Sequence, residues 1–400
     1  MRKIYSLVFL IMFLSCFQAF GEVKIAPYYY LYTSESGFIT DTSTMALSTS
    51  IYGDFAARIM FNEKWAMLAL YELNYQGPGA TSDSKNGANF QEQYQDHTII
   101  LKPSYVFNDN WVLGGRFGYA LQLSKTGSTE SWINGMYNYY GIVLGLEGKT
   151  KLWNNDLKTG YLFTQNLYPN YSNLLGYFDQ TEAQPEQDHY RHKFYGDGTM
   201  VFSKIFSIAY SVDDTIKTYL SQGIIEDNGV ENVSIAQLDN IAAGKLEMKL
   251  SLFDGSMGLG VKQKVEFTNS NQNNLSYDPL DPTDTTTLKY MPNYYTYTYY
   301  EISPSFSFTF PNKIVYNLSY VWNIKNYHSR PARDSKGAWL ADTEYDIIRQ
   351  AGTGFSFPMG KFNLGLDYTY IDAVSNMGYE QYYAYNYVSH NIKISYSFEY

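Results

Sequence analysis

The sequence predicts an all-β protein: one transmembrane antiparallel up-and-down β-barrel of about 16 strands, with short periplasmic turns and long extracellular loops. Three observations predict it. Apolar and polar residues alternate with period two through most of the chain, tight turns alternate with longer polar segments, and aromatic residues gather beside the tight turns.

Composition sets the bounds. Among 400 residues, 42 Tyr, 24 Phe and 6 Trp bring aromatics to 18% and hydrophobic residues to 45%, far too apolar for a disordered chain. A mean hydropathy of −0.33 argues against a bundle of membrane helices. The formal net charge of −10 gives no electrostatic footprint for nucleic acid. No Pro/Gly/Ser-rich linker divides the texture, so residues 22–400 are expected to form one barrel domain.

Residues 1–21 are expected to be a signal peptide that carries the chain through the inner membrane. Arg2 and Lys3 form a basic start, Ile4 to Phe20 an apolar run, and Ala19-Phe20-Gly21 a small-x-small cleavage site before Glu22. Cys16, the only cysteine, lies inside this segment in a poor lipobox, so disulfides and thiol chemistry are not expected of the mature chain.

The alternation is clearest at the end, where Ile392, Ile394, Tyr396, Phe398 and Tyr400 interleave with Asn391, Lys393, Ser395, Ser397 and Glu399. It recurs in Phe362, Leu364, Leu366, Tyr368 and Tyr370, and in Leu246, Met248, Leu250 and Leu252. Each such segment is a strand with one apolar and one polar face. The first strand is read over Lys24 to Tyr32.

Tight turns are read at Phe61-Asn62-Glu63-Lys64-Trp65, Phe107-Asn108-Asp109-Asn110-Trp111, Trp153-Asn154-Asn155-Asp156-Leu157, and near Phe202-Ser203-Lys204-Ile205-Phe206. Three more follow at Phe253-Asp254-Gly255-Ser256-Met257, Phe310-Pro311-Asn312-Lys313-Ile314 and Phe357-Pro358-Met359-Gly360-Lys361-Phe362. Asn, Asp, Gly and Pro supply the turn chemistry. Longer polar segments lie between them: Gly77 to Asp96, Asn170 to Asp188, Asn269 to Pro292 and His328 to Asp346. Both chain ends then fall on the short-turn side.

A soluble sandwich would also alternate, but nothing would make its loops short at one end and long at the other. A membrane barrel shows that asymmetry, with aromatic girdles such as Trp65, Trp111, Trp153, Phe253, Phe310 and Phe357 beside the short turns. The chain closes on Tyr396-Ser397-Phe398-Glu399-Tyr400, an alternating strand with an aromatic end. On these patterns the sequence resembles the porin-like outer-membrane β-barrels of Gram-negative bacteria. The resemblance implies an outer-membrane location in contact with lipid, pairing of the first strand with the last, and recognition of the strand ending in Tyr400 by the barrel-assembly machinery. It also implies a homotrimer as a family habit.

About 16 strands leave a water-filled lumen, where eight would fill their own interior. With the first strand starting beside the cleavage site, no amino-terminal plug is expected. The lumen-lining set is read as Arg58, Lys102, Arg116, Glu147, Lys149, Lys151, Lys193, Lys245, Glu247, Lys249, Lys262, Lys264, Glu266, Glu301, Asp367 and Lys393. Basic groups outnumber acidic ones on this wall. Two readings stay open: a basic lumen favouring anions or acidic sugars, and a weakly selective pore whose Lys and Glu neighbours pair along the wall.

Tyr28, Tyr30 and Tyr32 share one face, as do Tyr295, Tyr297 and Tyr299; they are candidates for stacking sugar rings, set against the plainer reading of an interfacial girdle. No catalytic arrangement stands out and no cofactor is expected. His97, His189, His192, His328 and His390 are placed mostly near loops; His189, His192 and Asp188 as a metal site, or Asp278, Asp281 and Asp284 as a calcium site, rank below a solvated surface. The expected function is passive diffusion of small hydrophilic solutes, and the alternative is a surface adhesin or structural protein on the same scaffold.

Overall fold

The computed structural model describes residues 23–41, 46–78, 93–125, 131–152, 155–171, 187–276, 289–379 and 385–400. The predicted signal peptide, Trp153 and Asn154 of the third tight turn, and the Asp278 to Asp284 stretch lie outside them.

Sixteen strands close into one antiparallel barrel. In chain order the wall strands are β1 (Lys24–Thr40), β2 (Ala46–Met60), β3 (Trp65–Pro78), β4 (Gln93–Asn108), β5 (Trp111–Lys125), β6 (Tyr139–Leu152), β7 (Asn155–Leu167) and β8 (His189–Val201). They continue as β9 (Phe206–Ile225), β10 (Glu231–Leu252) and β11 (Met257–Ser270). After a small hairpin, β12 (Asn274–Ser276) with β13 (Lys289–Met291), come β14 (Tyr297–Thr309), β15 (Val315–Arg333), β16 (Trp339–Met359), β17 (Phe362–Ser375) and β18 (Tyr387–Glu399). Every wall strand pairs with its sequence neighbour, β11 with β14 across the small hairpin, and β1 closes the ring on β18 through Tyr30↔Glu399 to Thr40↔Ser389. The seam is finished by Tyr29 and Tyr400, whose amides each donate to the other's carbonyl at 3.0 and 2.9 Å.

The short turns form where the turn chemistry stands. Asn62 Oδ1 accepts the amides of Lys64 and Trp65 at 2.9 and 2.8 Å, and Asn108 Oδ1 those of Asn110 and Trp111 at 2.9 and 3.0 Å. In the β10–β11 turn Phe253, Asp254 and Gly255 take φ of 51°, 52° and 88°, a left-handed run in which glycine holds the most extreme position. The Phe202 to Phe206 turn is present, and both described chain ends lie on this short-turn side.

Two expectations about length need correcting. The first strand does not stop at Tyr32 but runs to Thr40, and the segment His328 to Asp346 is not a loop. There β15 and β16, 19 and 21 residues long, carry on as a hairpin around a turn at 334–338. β9 and β10, at 20 and 22 residues, do the same. Beyond the apolar part of the wall both faces of a strand meet polar surroundings, so the two-residue contrast vanishes although the ladder continues.

The fold has little apolar core. Ile100 and Met67 are among its few buried hydrophobic side chains, whereas Leu146 and Val212 are 62% exposed and Ile394 55%. Apolar area left uncovered on that scale is incompatible with a water-facing wall and natural for one that meets lipid.

The extended β15–β16 hairpin is pinned by charge and aromatics. Arg330 lies between the rings of Tyr294 and Tyr327, 5.0 and 4.8 Å from their centroids, and Arg333 lies 3.6 Å from the Trp339 centroid. Arg330 Nε stands 2.7 Å from Glu344 Oε2 without hydrogen-bond geometry, and the Glu344 side chain is 1% exposed. Burial pushes the Glu344 carboxyl up to about 7, against the opposing pull of Arg330. Because the folded state holds this proton more tightly than the unfolded chain, the stabilisation is present below the ordinary carboxylate range and is lost as pH rises towards 7, an effect of at most about 3 kcal/mol. Limited proteolysis of the hairpin is therefore expected to speed up between pH 5 and pH 8, and Glu344→Gln to flatten that dependence.

Candidate functional site: the polar face of the barrel wall

Residues directly opposed in antiparallel strands point to the same side of a sheet, so the register assigns faces around the whole ring. One row runs Ala26↔Arg58↔Leu68↔Lys102. Lys102 and Arg116 then face each other between the Leu101↔Phe117 and Ser104↔Gly114 pairs. The row continues Arg116↔Gly145↔Leu162↔Lys193↔Thr215↔Ile241↔Thr268↔Tyr297↔Tyr327. Further pairs, Lys325↔Asp346 and Gly354↔Asp367↔Lys393↔Ser36, bring it back to β1 on the same face.

Every residue of the expected lumen set falls on this face: Arg58 on β2, Lys102 on β4, Arg116 on β5, Glu147, Lys149 and Lys151 on β6, and Lys193 on β8. Lys245, Glu247 and Lys249 follow on β10, Lys262, Lys264 and Glu266 on β11, Glu301 on β14, Asp367 on β17 and Lys393 on β18. Tyr28, Tyr30 and Tyr32 on β1 and Tyr297 and Tyr299 on β14 lie there too. Tyr295 does not belong to a strand; it sits in the turn before β14. The two tyrosine sets are on separate strands and do not meet, β1 pairing only with β2 and β18.

Many charges on this face are paired. Lys149 lies 3.1 Å from Glu147, Lys193 3.1 Å from Asp213, Lys262 3.3 Å from Glu301, Lys264 2.8 Å from Glu266 and Lys393 3.1 Å from Asp367. Lys158 reaches both Asp197 and Glu147, at 3.6 and 4.0 Å, and Lys249 lies 2.9 Å from Glu247. Half-exposed pairs of this kind neutralise charge locally and contribute little stability. Arg58, Lys102, Arg116 and Lys245 make no ion pair among the described residues, and Arg116 Nε is buried without a hydrogen-bond partner.

The opposite face is apolar from the short turns upward. On β17 it carries Phe362, Leu364, Leu366, Tyr368 and Tyr370 before Asp372; on β9, Ile208, Tyr210 and Val212 before Asp214; on β18, Phe398, Tyr396, Ile394 and Ile392 before His390. On these strands the first charged group or histidine thus appears eight to ten residues above the short turns, which for tilted strands is roughly 20–25 Å, the height of a lipid-facing band; Thr159 on β7 and Gln263 on β11 are uncharged polar residues lower on the same face.

That upper edge holds residues whose role the sequence did not reveal. His97, His192 and His390 lie in strands, three or four residues inside the ends that adjoin the long loops, on the apolar face, each with its Nδ1 on the hydroxyl of a tyrosine from a neighbouring strand: Tyr71 at 2.8 Å, Tyr161 at 2.7 Å and Tyr368 at 2.8 Å. Arg349 and Asp372 pair at 2.9 Å on the same face. Since His189 and His192 are an odd three positions apart on one strand, the two rings point to opposite sides of β8 and cannot share a metal ion.

No known protein family matches the sequence, and no curated protein does. Solved structures do. OccAB3 of Acinetobacter baumannii superposes with a TM-score of 0.50 at 9% identity, covering 94% of this chain and 99% of its own. OccAB1 of the same organism gives 0.50 at 9% identity, over 94% and 96% of the two chains. The fold is that of a porin-like outer-membrane β-barrel. OmpT of Vibrio cholerae, in a trimer form, aligns over 95% of this barrel chain and all of its own at 13% identity, with a TM-score of 0.49.

Proposed function

We propose that this barrel is an outer-membrane porin that lets small hydrophilic solutes diffuse passively through a water-filled lumen lined by the polar face. One observation carries the reading: the register of a closed ring of 16 strands keeps every one of the expected charges on one face and an apolar band roughly 20–25 Å tall on the other. Such a wall turns its apolar face to lipid, so the charged face lies inside, and a ring of this size is too wide for its own side chains to fill. The proposal assigns no catalytic residue and no cofactor. Lipid, solutes and the assembly machinery, through the strand ending in Tyr400, are the partners.

The charge pattern supports weak anion preference. Most lumen charges cancel in pairs, but Arg58, Lys102 and Arg116 form an unpaired row across β2 to β5, where a passing anion is attracted and a cation repelled. Purified protein in a planar bilayer is expected to give ohmic current with a reversal potential displaced modestly towards anions. The combined variant Arg58→Glu, Lys102→Glu, Arg116→Glu is expected to reverse that sign. The same current in both would refute the assignment of the row. No current at all would favour the surface-adhesin reading, for which the protruding β9–β10 hairpin, with Val230 62% and Val233 74% exposed, is the available contact.

A further inference from the structure

On the polar face, towards the long-loop end, the wall forms a cleft of about 350 Å³ between β9 and β15. Tyr219, Tyr295, Tyr297 and Tyr327 supply rings, and Asp239 and Gln222 supply polar atoms, with Lys325 at one side. The volume lies within the range of small-molecule sites.

The polar part of this cleft is held in place from behind. Ser270, 1% exposed, donates its hydroxyl to Asp239 Oδ1 at 2.6 Å, and Gln237, 5% exposed, donates its amide to the same carboxylate at 3.0 Å. Gln272, 3% exposed, donates to Gln237 Oε1 at 3.0 Å and to the Gly223 carbonyl at 2.8 Å, while its own Oε1 accepts the Ile225 amide at 3.0 Å. A chain of buried amides thus fixes one carboxylate at the cleft, an arrangement that general solvation of a pore wall does not need. The Oε1 of Gln222 is buried and has no partner.

The chemistry is mixed. Asp239 accepts hydrogen bonds, and the Lys325 ammonium, 4.1 Å from the Tyr297 centroid and 4.6 Å from that of Tyr327, makes no ion pair among the described residues and donates them. A carboxylate ligand would meet Asp239, and a cationic one would meet Lys325. A ring bearing several hydroxyls and no charge satisfies both, and its C–H face packs on tyrosine. We propose that this cleft is a binding subsite for a neutral saccharide of the lumen solutes. The proposal rests on the porin reading for the solute's route and narrows its class.

Saturation-transfer NMR on detergent-solubilised barrel measures binding whether or not the protein conducts, so the two readings fail separately. With a panel of neutral gluco- and galacto-trisaccharides, at least one is expected to bind saturably. Its affinity is expected to fall at least fivefold in Tyr297→Ala and in Asp239→Asn, each checked for heat-modifiable mobility as a sign of a closed barrel. Tyr52→Ala, on the polar face of β2 but outside the cleft, is expected to bind like the parent. Binding by no neutral trisaccharide, tighter binding of a uronate trimer than of any neutral one, or equal loss in Tyr52→Ala would overturn the proposal.

Discussion

Removal of β18, from Tyr387 to the end, is expected to abolish the closed barrel, leaving no heat-modifiable species in membranes or in refolding lipid. β18 holds the ring shut from both sides, by Phe362↔Phe398 to Ala373↔Tyr387 against β17 and Tyr30↔Glu399 to Thr40↔Ser389 against β1. Without it two strand edges present unpaired amides and carbonyls to lipid, each of which costs several kcal/mol in the hydrocarbon. Among the described residues no element offers a replacement: the other wall strands, β2 to β16, already have two partners each, and the two freed edges, β1 and β17, run parallel to each other. Tyr400→Ser separates this structural role from the proposed recognition by the assembly machinery. It keeps the backbone bonds to Tyr29 and loses the ring that Lys361 Nζ approaches at 3.5 Å. Slower assembly in cells with unaltered refolding in vitro is expected; slowing in both would assign Tyr400 to the seam alone.

The second large effect concerns two adjacent positions of one strand. Ile394→Arg is expected to destabilise the barrel by about 2–4 kcal/mol in urea titrations from lipid vesicles, the penalty of a cation facing the bilayer near its midplane. Ile394 is 55% exposed on the apolar face, six residues from the chain end. Ser395→Arg, one residue on and at nearly the same depth, points to the polar face opposite Ser34 and Gly365 and is expected to change stability by well under 1 kcal/mol. Equal effects of the two changes would mean that the faces have been assigned wrongly.

The wall was legible in the sequence because lipid and water impose opposite chemistry on alternate residues. Leu246, Met248 and Leu250 against Lys245, Glu247 and Lys249 announce both the strand and its faces. The turns were legible because Asn62 and Asn108 cap their own hairpins. What lies above the lipid was not: in Tyr327 to Arg333 and Trp339 to Tyr345 the contrast between faces fades, so a continuing hairpin looks like a loop. The carboxylate of the cleft was hidden for a different reason. Asp239 is held by Gln237, two residues away on the same strand, and by Ser270 and Gln272, which only the pairing of β10 with β11 brings up to it. The Tyr–His pairs at the rim likewise join residues 22 to 31 positions apart.

The assignment of faces is tested most directly by single cysteines along β10, since Cys16 is the chain's only cysteine. In a bilayer, a charged water-soluble thiol reagent is expected to modify Lys245→Cys, Glu247→Cys and Lys249→Cys and to step the current each time. Leu246→Cys, Met248→Cys and Leu250→Cys are expected to be spared. Reactivity without a two-residue period, or with the opposite phase, would contradict a lumen lined by the charged face.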